Sequence, residues 1–329
     1  MTILVTGGAG YIGSHMTYAL TDRGERVVVL DNLSAGVRAL VNPRALFIEG
    51  DAGHQELVRQ IIVDNHVESI IHFAGSVVVP ESVADPLSYY ANNTSVSRSL
   101  IEACVKENVR NFIFSSSAAV YGPSQTASVT EDSPTTPITP YGRSKLMTEW
   151  MLEDTSVAFE EFRFAVLRCF NVAGADLQGR TGQSTPKATH LIKRACQVAM
   201  GRLSHLQIFG TDFPTPDGTG IRDYIHVVDL VDAHTLALDA IRNGARSQTY
   251  NCGYGQGYSV REVVSAVEKI TGRRLPVVIS ERQPGDPASL IADPARIKRS
   301  LNWLPKHNNL ETIIRSALDW ERHASNLTN

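Results

Sequence analysis

Six short apolar runs mark the chain up to residue 167: TILVT at 2–6, VVVL at 27–30, LFI at 46–48, SIIHF at 69–73, FIF at 112–114 and FAVL at 164–167. None alternates with polar residues, so each is predicted as a strand buried on both faces. Between them the apolar positions take helical spacing, as at Leu57, Ile61 and Ile62 in HQELVRQIIVDN and at Leu100, Ile101, Cys104 and Val105 in SVSRSLIEACVKEN. Strand and helix repeated in this order predict an α/β fold built on a Rossmann-type doubly wound parallel sheet. From about residue 173 the rhythm breaks, because GADLQGRTGQSTPK and FGTDFPTPDGTG read as polar, glycine-rich loops. A smaller, mixed α/β C-terminal domain is expected there. Its helices are YSVREVVSAVEKITG, with Ser259 as N-cap, Glu262 three residues on and Gly272 as the stop, followed by PASLIADPARIKRSLNW and LETIIRSALDWERH. The expected division is 1–172 for the first domain, with 221–251 returning to it, and 173–220 with 252–329 for the second.

Composition bears on partners and compartment. The 329 residues exceed what one small core needs, and 43% apolar with 20% charged residues is ordinary for a globular chain. A net charge of -3 gives no electrostatic pull toward nucleic acid or membrane, which leaves small molecules or a second copy of the chain. The four cysteines, Cys104, Cys169, Cys196 and Cys252, form no CxxC pair and read as buried thiols in a reducing compartment, not as a zinc site or disulfide framework. MTILVTGG runs straight into a strand with no basic leader, and no later run is long enough to span a bilayer. The expected location is the cytoplasm.

The first strand is followed at once by TGGAGYIGSH, where Gly7, Gly10 and Gly13 are spaced by three and Gly8, Gly10 and Gly13 also satisfy GxGxxG. Early glycines permit a tight turn and close backbone approach to a pyrophosphate, whose charge then rests on the N-terminus of the helix starting near Tyr11. Gly13 lets that helix pack on the strand. The second strand ends in Asp31, 24 positions after Gly7, where a carboxylate accepts hydrogen bonds from both adenosine ribose hydroxyls and repels a 2'-phosphate. That favours NAD over NADP, although Asp-Asn is also common turn chemistry. Asp51, at the end of the third strand, is placed to meet the adenine amino group or, alternatively, to enter a helix.

TPYGRSK reads as a helix entry with Thr139 as N-cap and Pro140 in the first helical position, so Tyr141 and Lys145 share a face. An ammonium beside a phenol favours the phenolate and is expected to lower its ordinary pKa of about 10 by roughly 1 to 3 units. A cationic nicotinamide pushes the same way, and the lysine also reaches the cofactor ribose. YxxxK alone would be an exposed aromatic and a solvated lysine. The serines of FSSSAAVYG decide otherwise, since hydroxyls at a strand's carboxyl end point into the ligand crevice of this fold. Ser117 is expected to bridge a substrate hydroxyl and the phenol, whereas Ser115 and Ser116 satisfy turn backbone and receive no chemistry.

Together TGGAGYIGSH, FSSSAAVYG and YGRSK resemble the extended short-chain dehydrogenase/reductase superfamily. HFAGSVVVPESVADPLSYYANN, LRCFNVAGA, IFGTDFPTPDGTGIRDYIHVVDL and RQPGDPASLIAD are similar to segments of the UDP-glucose 4-epimerases. The resemblance implies a bound NAD, a tyrosine that takes the 4'-hydroxyl proton while hydride passes from C4', and a 4-keto sugar that turns over before it is reduced. It implies NAD contacts from Tyr11, Ile12, Asp31, Asn32, Asp51, Ala52, Phe73, Ala74, Gly75, Asn92, Tyr141, Lys145 and Phe170. It assigns Asn171, Leu191, Arg222 and Asp286 to the uridine diphosphate or its ribose, with His190 at a position often filled by asparagine. Arginine suits a diphosphate because its fork matches the oxygens, the plainer alternative being an ion pair with Asp223. A homodimer through helices near 87–108 and 141–158 is implied as well. The chain departs from the pattern at Val77, where many relatives carry lysine, at Ala119 in place of threonine and at Gln283 in place of arginine. Leu290, bulky at a position tied to pocket size, suggests plain hexoses. Three rivals stand beside the epimerase: a nucleotide-sugar 4,6-dehydratase, which needs carboxylates after the fifth strand that SSSAAVYG lacks; an epimerase of a pentose or N-acetylated UDP-sugar; and a non-catalytic NAD-sensing module.

Overall fold

The computed structural model describes residues 1–327 apart from 124–125, 127, 186–187 and 284–285. Pro186 and Lys187 of the first polar loop, and Pro284 and Gly285 of RQPGDPASLIAD, therefore lie outside the described residues. The chain begins β1 (Thr2–Thr6), α1 (Tyr11–Asp22), β2 (Arg26–Asp31), β3 (Leu46–Glu49), α2 (Gln55–Asn65) and β4 (Val67–His72). Short helices α3 (Val79–Ala84) and α4 (Pro86–Tyr89) and a π-helical turn at Tyr90–Ser95 lead to α5 (Val96–Lys106), β5 (Asn111–Ser117), α6 (Pro140–Ala158) and β6 (Arg163–Cys169). Next come β7 (Asn171–Ala173), α7 (Leu191–Ala199), β8 (Leu206–Phe209), β9 (Ile221–His226), α8 (Val227–Arg242) and β10 (Gln248–Cys252). The chain closes with β11 (Gly257–Ser259), α9 (Val260–Thr271), β12 (Val277–Ser280), β13 (Ser289–Leu290), α10 (Ala295–Leu301) and α11 (Leu310–Leu327).

Seven strands form one parallel sheet in the order β10-β6-β5-β4-β1-β2-β3. Successive side chains of a strand point to opposite faces, and both faces are covered except at the edge strand β3, expected to be buried, where Leu46 and Glu49 are exposed and Phe47 and Ile48 only half-buried. Ile3 and Val5 of β1 pack with Met16 and Leu20 of α1 and with Leu230 and Leu238 of α8. Leu4, on the other face, joins Val58 and Ile62 of α2, Leu100 of α5 and Leu152 of α6. That double burial is why the strands read as unbroken apolar runs. The connections reverse between β1 and β4, so the crevice outside their carboxyl ends is where this fold takes a ligand.

A four-stranded sheet runs β11-β9-β13 with β7 beside β9, and β12 pairs with β8. These elements enclose a separate core with α7, α9 and α11, including Ile192, Cys196, Val263, Val267 and Ile314. β9 was expected within the returning segment 221–251; instead it lies in the small sheet, and the return starts at α8 and ends with β10. Its neighbours Tyr224 and Ile225 feed different cores, so one strand serves both units. α9 has the expected capping box, with Ser259 Oγ accepting from Glu262 N at 3.0 Å and Glu262 Oε2 accepting from Ser259 N at 2.7 Å. PASLIADPARIKRSLNW is helical only from Ala295: Ser289 and Leu290 pair with β9, and Pro294 disfavours helix at the residue before it. All four cysteines are buried and free. Among the described residues no helix is long and apolar enough to cross a membrane.

Candidate active site

The carboxyl ends of the large sheet collect most of the cofactor residues expected from the sequence. Gly7, just past β1, has φ +71°, and a Cβ there would lie 2.6 Å from Ala74 N. The glycine turn therefore touches the end of β4 backbone to backbone. A Cβ on Gly13 would lie 2.1 Å from the Gly7 carbonyl oxygen, so α1 closes directly on the turn. Gly10 caps α1 without a side-chain bond, and the first turn holds no acidic residue. The N–H groups of Tyr11, Ile12 and Gly13 lack intrahelical acceptors by helix geometry, which leaves the positive end of α1 for an anion. These features fit a dinucleotide pyrophosphate.

Both Asp31 oxygens hold backbone, Oδ2 accepting from Ala9 N at 2.9 Å and Oδ1 from Leu33 N at 2.8 Å. The turn role and the ribose role coexist, since a carboxylate has about four acceptor sites. Asn32 Nδ2 donates to Asp51 Oδ2 at 3.2 Å, while Asp51 Oδ1 accepts from Gly53 N at 2.6 Å; Ala52 beside them is buried. Phe73 N donates to Thr6 O at 3.0 Å, extending β4 past its last strand residue toward Ala74 and Gly75. Asn92 Nδ2 donates to Ser76 Oγ at 2.8 Å, so the π-helical turn is tied to the loop after β4. The Tyr11 hydroxyl is already used, donating to Gly174 O at 2.6 Å, which leaves its backbone to meet a cofactor. Phe170 is buried in a small cluster with Ala118, Tyr121 and Leu146, against which Leu290 packs.

α6 starts as its sequence dictates, Thr139 Oγ1 accepting from Gly142 N at 3.2 Å with Pro140 in the first turn. Tyr141 is half-buried as a residue, and its phenol lies beside Ser117, close enough for that hydroxyl to act on its titration. Its pKa moves opposite to the sequence expectation. Burial pushes it up to about 12, with the Ser117 hydroxyl pulling down and nearby Cys169 pushing up; Lys145 is not among the groups that act on it. The lysine shifts the other way, lowered by burial to about 8 and partly restored by Cys169 and Glu149. Its Nζ donates to Ser115 O at 3.0 Å and lies 4.8 Å from the centre of the Phe114 ring. Desolvation disfavours both charged forms, so it raises the phenol and lowers the amine. The idle roles expected for Ser115 and Ser116 are also corrected. Ser115 O holds the ammonium, and Ser116 Oγ donates to the buried Glu149 Oε1 at 2.5 Å.

On the substrate side, Asn171 is exposed on β7 and Leu191 opens α7. His190 caps α7, its Nδ1 3.4 Å from Gln183 Nε2 and its ring 6.4 Å from that of Tyr11. Burial first, then Lys193, lowers its pKa to about 4, so the imidazole is neutral. Arg222 lies on β9 with its nearest carboxylate on Asp286, at 3.8 Å. The alternative pairing with Asp223 does not form, because that carboxylate is buried and accepts N–H groups of Tyr254, Gly255 and Ala292 at 2.9, 2.8 and 3.2 Å.

Residues 3–253 match the NAD dependent epimerase/dehydratase family. The chain belongs to this family. It is similar to the UDP-glucose 4-epimerase of Azospirillum brasilense, 55% identical over 320 residues that make up 97% of this chain and 92% of that protein. The solved UDP-glucose 4-epimerase of Brucella ovis in complex with NAD matches with a TM-score of 0.93 at 43% identity, covering 97% of each chain. The enzyme of Bifidobacterium longum in complex with NAD+ and UDP matches with a TM-score of 0.93 at 38% identity, covering 99% of each. The seven-stranded parallel sheet is thus the fold of an NAD-dependent epimerase.

Several buried partners of this epimerase site escaped the sequence reading. Asn93 Oδ1 accepts from Ser76 N at 2.7 Å and its Nδ2 donates to Ser144 Oγ at 3.0 Å, joining the π-helical turn to α6. Glu149 and Arg168 form a buried ion pair of 2.7 Å behind Lys145. The available signals were Asn93 beside Asn92, and a carboxylate four residues beyond Lys145.

Proposed function

We propose that this epimerase interconverts UDP-galactose and UDP-glucose by oxidation at C4', turnover of the 4-keto sugar and reduction on its other face. The observation that carries the reading is the placement of the Tyr141 phenol beside Ser117 at the carboxyl end of β5, near enough for the serine to act on its titration, with Lys145 one turn further along the same helix. NAD, when bound, supplies a hydride acceptor and a cationic ring. Tyr141 takes the 4'-hydroxyl proton as the C4' hydrogen leaves with its electron pair, and it returns that proton when the ketone is reduced, so no net redox results. Burial keeps the phenol protonated in the chain alone, so its ionisation depends on added positive charge beside it. Ser117 orients the sugar hydroxyl against the phenol, and Lys145 reaches the cofactor ribose.

In this reading Gly7, Gly10, Tyr11, Ile12 and Gly13 meet the pyrophosphate, Asp31 and Asn32 the ribose, and Asp51 and Ala52 the adenine. Phe73, Ala74, Gly75, Asn92 and Phe170 border the remainder of the dinucleotide. Arg222, with Asn171, His190, Leu191 and Asp286, takes the uridine diphosphate. The NAD and UDP in the complexes of the two solved relatives support these assignments. A dehydratase is disfavoured because Ser117 is followed by Ala118, Ala119, Val120 and Tyr121, with no carboxylate to drive elimination. Residues 1–172 with the returning α8 and β10 serve the cofactor, and the remainder serves the nucleotide sugar. The same proposal includes a homodimer and a cytoplasmic home. Trp150 and Val157, seven residues apart on α6, and Leu87 on α4 leave 53%, 83% and 77% of their surfaces exposed, an apolar stripe suited to a second copy. Free, buried thiols suit a reducing compartment.

The test is conversion of UDP-galactose to UDP-glucose by purified protein without added cofactor, with NAD released on denaturation. Tyr141→Phe is expected to cut turnover by about 10²- to 10⁴-fold while NAD stays bound. A folded, NAD-loaded but inactive preparation rejects the activity, and wild-type turnover in the variant rejects the role of the phenol.

A further inference from the structure

We propose that Glu149 is a positioning residue for the Lys145 ammonium and the Ser117 hydroxyl, acting through Ser116 on β5 and held in place by Arg168. The inference rests on the reading of Tyr141, Lys145 and Ser117 given above. Two successive turns of α6 reach two successive residues of β5. Lys145 Nζ donates to Ser115 O at 3.0 Å, and Glu149 Oε1 accepts from Ser116 Oγ at 2.5 Å. Between them these rungs fix the helix against the last residues of the strand that presents Ser117.

The carboxylate is itself immobilised. Arg168, directly opposite Ser116 in the β5–β6 register, donates from Nε to both Glu149 oxygens at 3.2 Å and from Nη2 to Oε2 at 2.7 Å. Arg168 Nη1 donates to the Tyr121 hydroxyl at 3.0 Å and to Glu131 O at 3.2 Å, and Tyr121 donates to Asn251 Oδ1 at 2.6 Å. Glu149 and Arg168 are almost wholly buried. Buried ion pairs of this kind are often matched in stability by apolar residues of similar volume, so stability is a weak reason for one here. Position and charge are stronger reasons.

Three titratable groups act with the lysine: Glu149 from its own helix, Cys169 from β6 and His72 from β4. Burial pushes the Cys169 thiol up to about 11, and burial followed by the Lys145 charge lowers His72 to about 3, so both are neutral near pH 7. The carboxylate among them is Glu149, which is paired with Arg168. It favours the ammonium that desolvation opposes.

The test uses the holoenzyme with Glu149→Gln, whose amide oxygen can still accept from Ser116 while the charge is gone. The pH at which kcat falls on the alkaline side is expected to drop by roughly one unit, with KM for the UDP-sugar changed less than about twofold. Carbamoylation of Lys145 by cyanate, followed by mass spectrometry, requires the free amine, and its midpoint is expected to fall by the same amount. Ser116→Ala removes the rung and keeps the charge, so kcat should drop by about tenfold or more with the alkaline midpoint unmoved. Should Glu149→Gln not fold because Arg168 is left uncompensated, Ser116→Ala decides the matter by its effect on kcat. An active wild type whose alkaline and cyanate midpoints are both unchanged in Glu149→Gln, or whose kcat is unchanged in Ser116→Ala, overturns the proposal. An inactive wild type would instead fault the assigned function, and the cyanate midpoint would still judge the influence of Glu149 on the amine.

Discussion

Replacing Gly13 by alanine tests the glycine turn where steric and ligand effects separate. The new Cβ would sit 2.1 Å from Gly7 O, 2.8 Å from Gly7 C and 2.9 Å from Gly8 Cα, against an ordinary contact of 3.4 Å or more. All three atoms are backbone, so no side chain can swing away, and α1 must lift by about 1 Å. Alanine gains about 1 kcal/mol in helix propensity, while overpacking costs about 1–3 kcal/mol, leaving a net loss of up to about 2 kcal/mol. In a chain of this size that lowers Tm by up to roughly 3 °C. The larger effect falls on NAD. Displacing the first-turn N–H groups weakens one or two charge-assisted hydrogen bonds of about 1.5–3 kcal/mol each, so affinity should fall by about tenfold to several hundredfold. Calorimetric Tm with and without excess NAD reads both effects, because a ligand that binds only the native state raises Tm according to its affinity. Gly24→Ala is the control: φ there is +80°, but nothing lies within 4 Å, so it should cost stability without touching the NAD shift. A Gly13→Ala protein with the wild-type NAD shift and wild-type NAD content would refute the packing of α1 on the turn as the basis of the cradle.

Two further outcomes are expected, besides those of Tyr141→Phe and Glu149→Gln. Lys145 titrates near 8 in the folded chain against an ordinary 10.5. Between those values the unfolded chain holds a proton that the folded chain has lost, so this group's contribution to stability rises with pH. Below about 8 its whole penalty, on the order of 3 kcal/mol, is present. Urea unfolding without added NAD should therefore show Lys145→Met at its greatest advantage over wild type near pH 7, with the difference shrinking as pH climbs toward 10.5. A difference that is flat across that window would contradict the burial of the charge. The epimerase should sediment as a dimer at micromolar concentration, and Trp150→Glu with Val157→Glu should sediment as a monomer; a monomeric wild type removes the proposed interface.

Much of this molecule is written in local patterns. Unbroken apolar runs placed β1, β2, β4, β5 and β6, because a strand covered on both faces has no polar side to display. Cap chemistry located both ends of α9, and the proline and threonine before Tyr141 located the start of α6, because capping involves residues only a few positions apart. The glycine spacing likewise announced the turn after β1. Patterns of this kind did not say that β9 would leave the large sheet, since its apolar residues suit either core and pairing partners are chosen between distant segments. Nor did they reveal that Glu149 and Arg168 meet behind Lys145, which follows from the register of β5 against β6. The direction of the Tyr141 shift was missed for the same reason. A four-residue spacing puts an ammonium and a phenol on one helix face, but the tertiary structure commits the amine to Ser115 O and decides how much water remains, so desolvation, and not the lysine, sets the direction of the shift.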